Sequence, residues 1–118
     1  MKPIRKQCTD ARLEKIQNAF DVIRLLDREM PGQVLSAFLY VAAHNGCHKQ
    51  ALEEELGYTS PSASRVTDIL SEGRPGRESK GLGLITKTED LDNRRRQFLH
   101  LTAHGEDIAR TMKRIIYG

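Results

Sequence analysis

The sequence predicts a mainly α-helical chain carrying one small β-hairpin, an α+β arrangement. Apolar residues recur three and four positions apart between residues 10 and 71 and again from 103 to 117, the spacing of amphipathic helices. Between these regions two short runs rich in strand formers, Leu84 to Thr88 and Arg95 to Leu101, flank the turn-forming EDLDN of residues 89 to 93. A glycine turn, Gly57-Tyr58-Thr59, separates two short helical patterns and divides the apolar series where a tight corner is required.

Bulk composition narrows the class. With 118 residues, 38% hydrophobic and 30% charged, the chain can bury an apolar core as one domain spanning 1–118 without disulfide or metal staples. The longest apolar stretch, Val34 to Ala43, is broken by Ser36 and is too short to cross a bilayer. The basic start, Met1 to Lys6, lacks the apolar segment and cleavage site of a secretory signal, so a cytoplasmic location is expected, with Cys8 and Cys47 as free thiols. The net charge of +3 fits an anionic partner only loosely, but its distribution says more. Lys49 is the sole Lys or Arg between residues 31 and 59, whereas residues 60 to 100 carry eight Lys or Arg against six acids.

Each element follows from local chemistry. Leu13, Ile16, Phe20, Ile23, Leu26 and Met30 predict a long helix over about 10–30, capped by Thr9 or Asp10 and ended by Pro31-Gly32. Gln33 to Asn45 is apolar nearly all round, which predicts a helix buried on most sides and closed by a left-handed cap at Asn45-Gly46. Lys49 to Leu56 predicts a short helix with Ala51, Leu52 and Leu56 inward. Thr59 then caps a helix over Ser60 to Ser71, with Pro61 in its first turn, where a missing N–H costs nothing. Ala63, Val66, Thr67 and Leu70 share one face of it, and Pro61, Ser64, Arg65 and Asp68 lie opposite. Gly73 to Gly83 reads as a loop, the hairpin follows, and Thr102 caps a last helix over Ala103 to Tyr117.

Helix, helix, short helix, glycine turn, helix, β-hairpin, helix is the layout of a winged helix-turn-helix. In that layout the second helix of the pair presents its N-terminal half to the DNA major groove while the first crosses the backbone. Thr59, Ser60, Pro61, Ser62, Ser64 and Arg65 are the candidate groove residues. Serine hydroxyls are short and can donate or accept, and Arg65 offers a fork for phosphate or guanine. Arg94, Arg95 and Arg96 are the candidates at the hairpin tip. Such a charge run is usually a solvated surface, but its place beside a helix-turn-helix favours nucleic-acid contact. Strand alternation would turn Arg94 and Arg96 to one side and Arg95 to the other. Arg74, Arg77 and Lys80 in the loop have a weaker claim.

The run Glu55 to Leu70 (ELGYTSPSASRVTDIL) resembles the helix-turn-helix of the MarR-type transcriptional regulators, most clearly at Leu56-Gly57, Ser64-Arg65 and Asp68 to Leu70. Gly83-Leu84-Ile85 resembles the strand entering that family's wing. Asn93-Arg94-Arg95 followed by Leu101-Thr102-Ala103-His104-Gly105 resembles the wing and the next helix. The resemblance covers roughly residues 33 to 110. It implies a homodimer joined through the terminal helices, about 10–30 and 103–117. It further implies sequence-specific binding of double-stranded DNA, with the serines and Arg65 near the major groove and Arg94 reaching the minor groove. Asn93 stands where the family usually carries aspartate, and residues 73–80 look like an insertion.

The same residues admit other readings. A winged helix serving as a protein-interaction module in a phage, plasmid or replication complex is the alternative, kept open by Glu89, Asp90 and Asp92 beside the arginines. A redox-sensing regulator would need an accessible low-pKa thiol at Cys8 or Cys47. His44, Cys47 and His48 are metal-ligand types at short spacing, but zinc needs about four converging ligands, and His100 and His104 lie on different elements. Glu53, Glu54 and Glu55 fan out around a helix, and the sequence holds no phosphate loop or nucleophile elbow, so neither an enzyme nor a cofactor is expected. No membrane partner is expected, and the residues name no small-molecule effector.

Overall fold

The computed structural model describes residues 7–72, 81–93 and 95–118. Within them the chain runs α1 (Ala11–Arg24), α2 (Gly32–Ala43), β1 (Cys47–His48), α3 (Gln50–Leu56), α4 (Ser60–Leu70), β2 (Ile85–Glu89), β3 (Gln97–Leu101) and α5 (Ala103–Tyr117). This is the mainly α arrangement with a small sheet that the apolar spacing predicts. Among the described residues no helix is long and apolar enough to cross a membrane.

The first helix begins as expected, the Asp10 carboxylate accepting the N–H groups of Arg12 and Leu13 at 3.0 and 3.1 Å. It ends at Arg24 rather than Met30. The Leu26 N–H turns back to the Ile23 carbonyl, and Asp27 then accepts the Glu29 N–H at 2.9 Å. This aspartate turn offers the backbone an alternative to the helix, so the residues before Pro31 leave it early. Only Ala19 and Ile23 are buried in α1, while Leu13, Ile16 and Phe20 stay exposed. Half of the stripe that the spacing turns inward is therefore left uncovered by the chain itself.

Helix α2 buries Val34, Ala37, Phe38 and Val41, whereas Leu39 is exposed. It is a core helix on one face and not on most sides. The left-handed residue after it is Gly46 alone, with φ +92, while His44 holds the cap position at φ −134 and ψ 55, neither helical nor left-handed. The Asn45 side chain accepts the Leu101 N–H at 2.9 Å, and the Gly46 N–H donates to the Leu99 carbonyl at 2.8 Å. This turn docks the end of α2 on β3 and starts β1. The three strands form one antiparallel sheet in the order β1-β3-β2, with Cys47 opposite Leu99 and Ile85 opposite Leu101. Phe38, Ile23, Leu52, Leu70, Leu84, Ile85 and Leu99 form the centre of the core. Among the described residues no buried side-chain polar atom lacks a hydrogen-bond partner.

The start of α5 packs closely against Gly83 and Leu84, the residues that enter β2. The Thr102 N–H donates to the Leu84 carbonyl at 3.0 Å, and its hydroxyl both donates to the Gly83 carbonyl and accepts the Gly105 N–H. A Cβ placed on Gly105 would lie 2.1 Å from the Leu84 carbonyl oxygen, which is backbone and cannot step aside. Gly105→Ala is therefore expected to destabilise the fold by about 2 to 3 kcal/mol or more, although alanine is the better helix former by about 1 kcal/mol. A thermal melt should show the midpoint falling by roughly 10 °C. An unchanged midpoint would mean that α5 is not seated on the Leu84 backbone as described.

Candidate nucleic-acid interface

The corner between α3 and α4 is built by three residues. Gly57 takes φ +71, a left-handed conformation that carries a Cβ penalty for other residues, and its N–H closes α3 on the Glu53 carbonyl. The Tyr58 hydroxyl donates to the Gln33 carbonyl at 2.7 Å, tying the corner to the start of α2. The Thr59 hydroxyl accepts the Ser62 N–H at 3.2 Å, and Pro61 occupies the first turn.

Helix α4 buries Ala63, Val66, Thr67 and Leu70, and the Thr67 hydroxyl is turned inward onto the Ala63 carbonyl at 2.8 Å. Thr59, Ser60, Pro61 and Arg65 are exposed, while Ser62 and Ser64 are half-buried. Helical phase places Pro61, Arg65 and Asp68 at the middle of the outward face, with Ser60 and Ser64 on one flank and Ser62 on the other. The three serines thus belong to two edges of one face.

The chain entering the wing seals the far end of α4. The N–H groups of Leu82, Gly83 and Leu84 donate to the carbonyls of Ile69, Ser71 and Leu70 at 2.8, 2.7 and 2.8 Å. These are carbonyls that a helix end leaves without internal partners. Lys87 of β2 forms an ion pair with Asp68 on the outward face of α4. The root of the wing is consequently fixed to this helix by both backbone and charge.

Arg95 and Arg96 are exposed in the turn before β3, which begins only at Gln97. Strand alternation therefore does not govern them, contrary to the expectation for a strand starting at Arg95. The turn is organised by polar backbone bonds. The Asn93 side-chain oxygen accepts the Arg95 N–H at 3.1 Å, a role that needs an acceptor and not a charge. Asp90 accepts the Asp92 N–H at 2.9 Å through one carboxylate oxygen and approaches His48 Nε2 at 3.2 Å through the other. An ionised carboxylate only accepts, so Nε2 carries the proton of this bond. His48 also stacks on Phe98, with ring centroids 4.4 Å apart. Arg94, Arg74, Arg77 and Lys80 lie outside the described residues.

Lys49, Lys87 and the His48 to Asp90 pair were not singled out as site residues in the sequence. A signal existed for Lys49, the one cation of its stretch, but none for the other contacts, whose partners are 19 and 42 positions apart. Cys47 is half-buried, and burial pushes its thiol up, away from the low pKa that a redox sensor needs. His44 Nδ1 bonds the Tyr40 carbonyl at 3.0 Å, and among the described residues no three His, Cys, Asp or Glu side chains converge as a metal site.

The Asp90 carboxyl is held below the ordinary aspartate range, chiefly by the Asp92 backbone N–H and then by His48 and the Asn93 N–H. A lowered folded-state value means that the ionised form stabilises the fold at neutral pH, and that this contribution fades as pH falls below about 3.9. Asp90→Asn should therefore lower the melting midpoint at pH 7, with the gap to the unsubstituted protein closing toward pH 3. A gap that stays constant with pH would contradict the role given to the charge.

Solved structures share this architecture. A MarR transcriptional regulator from Methanosarcina mazei aligns with a TM-score of 0.61 at 16% identity, over 91% of this chain and 64% of that one. The PcaV transcriptional regulator from Streptomyces coelicolor aligns with a TM-score of 0.60 at 19% identity, over 89% and 71%. The transcriptional repressor CouR, solved bound to a 23-mer DNA duplex, aligns with a TM-score of 0.61 at 22% identity, over 91% and 68%. The chain thus spans about two thirds of the length of these regulators. No protein-family model and no curated protein sequence matches it. Among the described residues, the five helices, the corner at Gly57 and the small antiparallel sheet have the MarR-type winged helix-turn-helix fold.

Proposed function

We propose that this protein is a transcriptional regulator that binds double-stranded DNA in a sequence-specific manner. The observation that carries this reading is the outward face of α4, where Thr59, Ser60, Pro61 and Arg65 are exposed on a helix whose opposite face is locked into the core. The N-terminal half of α4 enters the major groove, bringing Thr59, Ser60, Pro61, Ser62, Ser64 and Arg65 to phosphates and base edges. The wing carries Arg95 and Arg96, and by its place in the sequence Arg94, to the adjacent minor groove. Its shared fold with a repressor solved on duplex DNA supports this reading over that of a protein-interaction module. The cations supply affinity by neutralising phosphates, and α4 supplies base preference.

A second copy of the chain completes the regulator. Leu13, Ile16 and Phe20 of α1 are exposed, and Phe20 lines a groove of about 580 Å³ together with Leu39, Ala109, Met112, Ile116 and Tyr117. Tyr117 is 84% exposed, and α1 and α5 pack on each other, so one apolar surface is formed by the two terminal helices. Pairing through that surface sets the spacing of two α4 helices on a palindromic site.

Fluorescence anisotropy against a duplex selected from random sequence tests the reading. Affinity should fall steeply with salt, by about 0.9 log unit per log unit of salt for each phosphate contacted. Arg65→Ala should weaken binding by about 1 to 3 kcal/mol and relax the base preference, while Lys15→Ala on α1 leaves both unchanged. Absence of binding even at low salt would refute the proposal. Ile16→Glu combined with Phe20→Glu should give a monomer in sedimentation that no longer holds a two-half-site duplex tightly. A dimer that survives these changes would place the interface elsewhere.

A further inference from the structure

We propose that Lys49 is a specificity-determining residue of the DNA-binding face, acting by setting the direction of the Ser64 hydroxyl. The proposal rests on the DNA-binding reading given above. Lys49 stands at the start of α3, and its backbone N–H is fixed to the Gln97 carbonyl of β3 at 2.9 Å. From that anchor its side chain reaches across to α4, where Nζ donates to Ser64 Oγ at 3.0 Å. Both residues are half-buried, which holds the contact in place while leaving it open to a ligand seated on α4.

The chemistry of the pair is directional. An ammonium only donates, whereas a hydroxyl has one proton and two lone pairs. A serine inside a helix ordinarily returns its proton to a carbonyl three or four positions back. Thr67 does this on the same helix, donating to the carbonyls of Ala63 and Ser64. Ser64 makes no such bond among the described residues, and its one side-chain partner is Lys49. With a cation on one lone pair, the Ser64 proton points away from Lys49, and the local positive charge disfavours a second donor. Ser64 is thereby a hydroxyl donor aimed out of the flank it shares with Ser60. On a major-groove edge it accepts partners such as purine N7, guanine O6 or thymine O4, and it rejects the amino groups of adenine and cytosine. The same pair of residues in reversed roles is impossible, because Lys49 cannot accept.

Selection from random duplexes, performed with the full chain and with Lys49→Met, Ser64→Ala and the double variant, tests this directly. Unchanged melting midpoints establish that the variants fold. The expected result is that Lys49→Met and Ser64→Ala each weaken the preference at the same base pair of each half-site by about fivefold to tenfold. The double variant loses no more than either single one. If Lys49→Met instead weakens all sequences alike, lowers the salt slope by about 0.9 and does so equally in the Ser64→Ala background, Lys49 is a phosphate contact and the proposal is overturned. A preference unaffected by Ser64→Ala overturns it as well. If the unsubstituted protein selects no sequence, the DNA-binding reading itself fails and takes this proposal with it. Binding with an unaltered profile removes only the proposal.

Discussion

The orientation of α4 about its own axis is the constraint on which everything functional depends. Ala63, Val66, Thr67 and Leu70 are driven inward because leaving them in water would forfeit roughly 25 cal/mol for each Å² of apolar surface, and their burial leaves the other side of the helix no choice but to face outward. Ala63 contributes by being small, which lets α4 lie close to its neighbours. The inward bond of Thr67 removes the polar penalty that a buried hydroxyl would otherwise carry. Rotation of α4 by one residue would bury Arg65 or Ser64 and expose Val66 or Leu70, so the register is strongly specified.

Three further ties hold that orientation. Gly57 sets the corner at one end, and the backbone of residues 82–84 closes the other. The Lys87 to Asp68 pair joins wing to helix on the outward side. Helix α5 then clamps the same β2 entry through Thr102 and the close approach at Gly105. The helix and the root of the wing therefore behave as one unit, since the bonds that end α4 are those that begin the wing. The terminal helices pack on each other, and although the start of α5 is held against this unit, Leu13, Ile16, Phe20 and Tyr117 keep an apolar surface of the two helices uncovered.

Much of this was legible in the sequence wherever a local rule had no competitor. Thr59 and Thr102 cap their helices as their side chains require, α5 runs over the span expected, and the buried face of α4 is the one its period assigns. The structure departs from its local pattern where local rules compete or contacts are distant. The apolar stripe of α1 continues past Arg24, but the Asp27 turn prevails over it. The two-residue strand β1 has no periodicity of its own and exists because Gly46 and Lys49 reach β3, more than 45 positions away. The arginines of the wing look like part of a strand, yet the side-chain turns of Asp90 and Asn93 delay β3 until Gln97. The candidate groove residues were visible because helical phase is a local property. The pairing of Lys49 with Ser64, and of Lys87 with Asp68, depends on packing between elements and left no mark in spacing.

Mapping backbone amide shifts on a selected duplex tests the central claim most directly, because it reports which face of the molecule meets the ligand. The account predicts perturbations along residues 59–65, at Lys49 and at Arg95 and Arg96, with the outer surface of α1 unmoved. Perturbations concentrated on α1 and α5, with residues 59–65 silent, would contradict it.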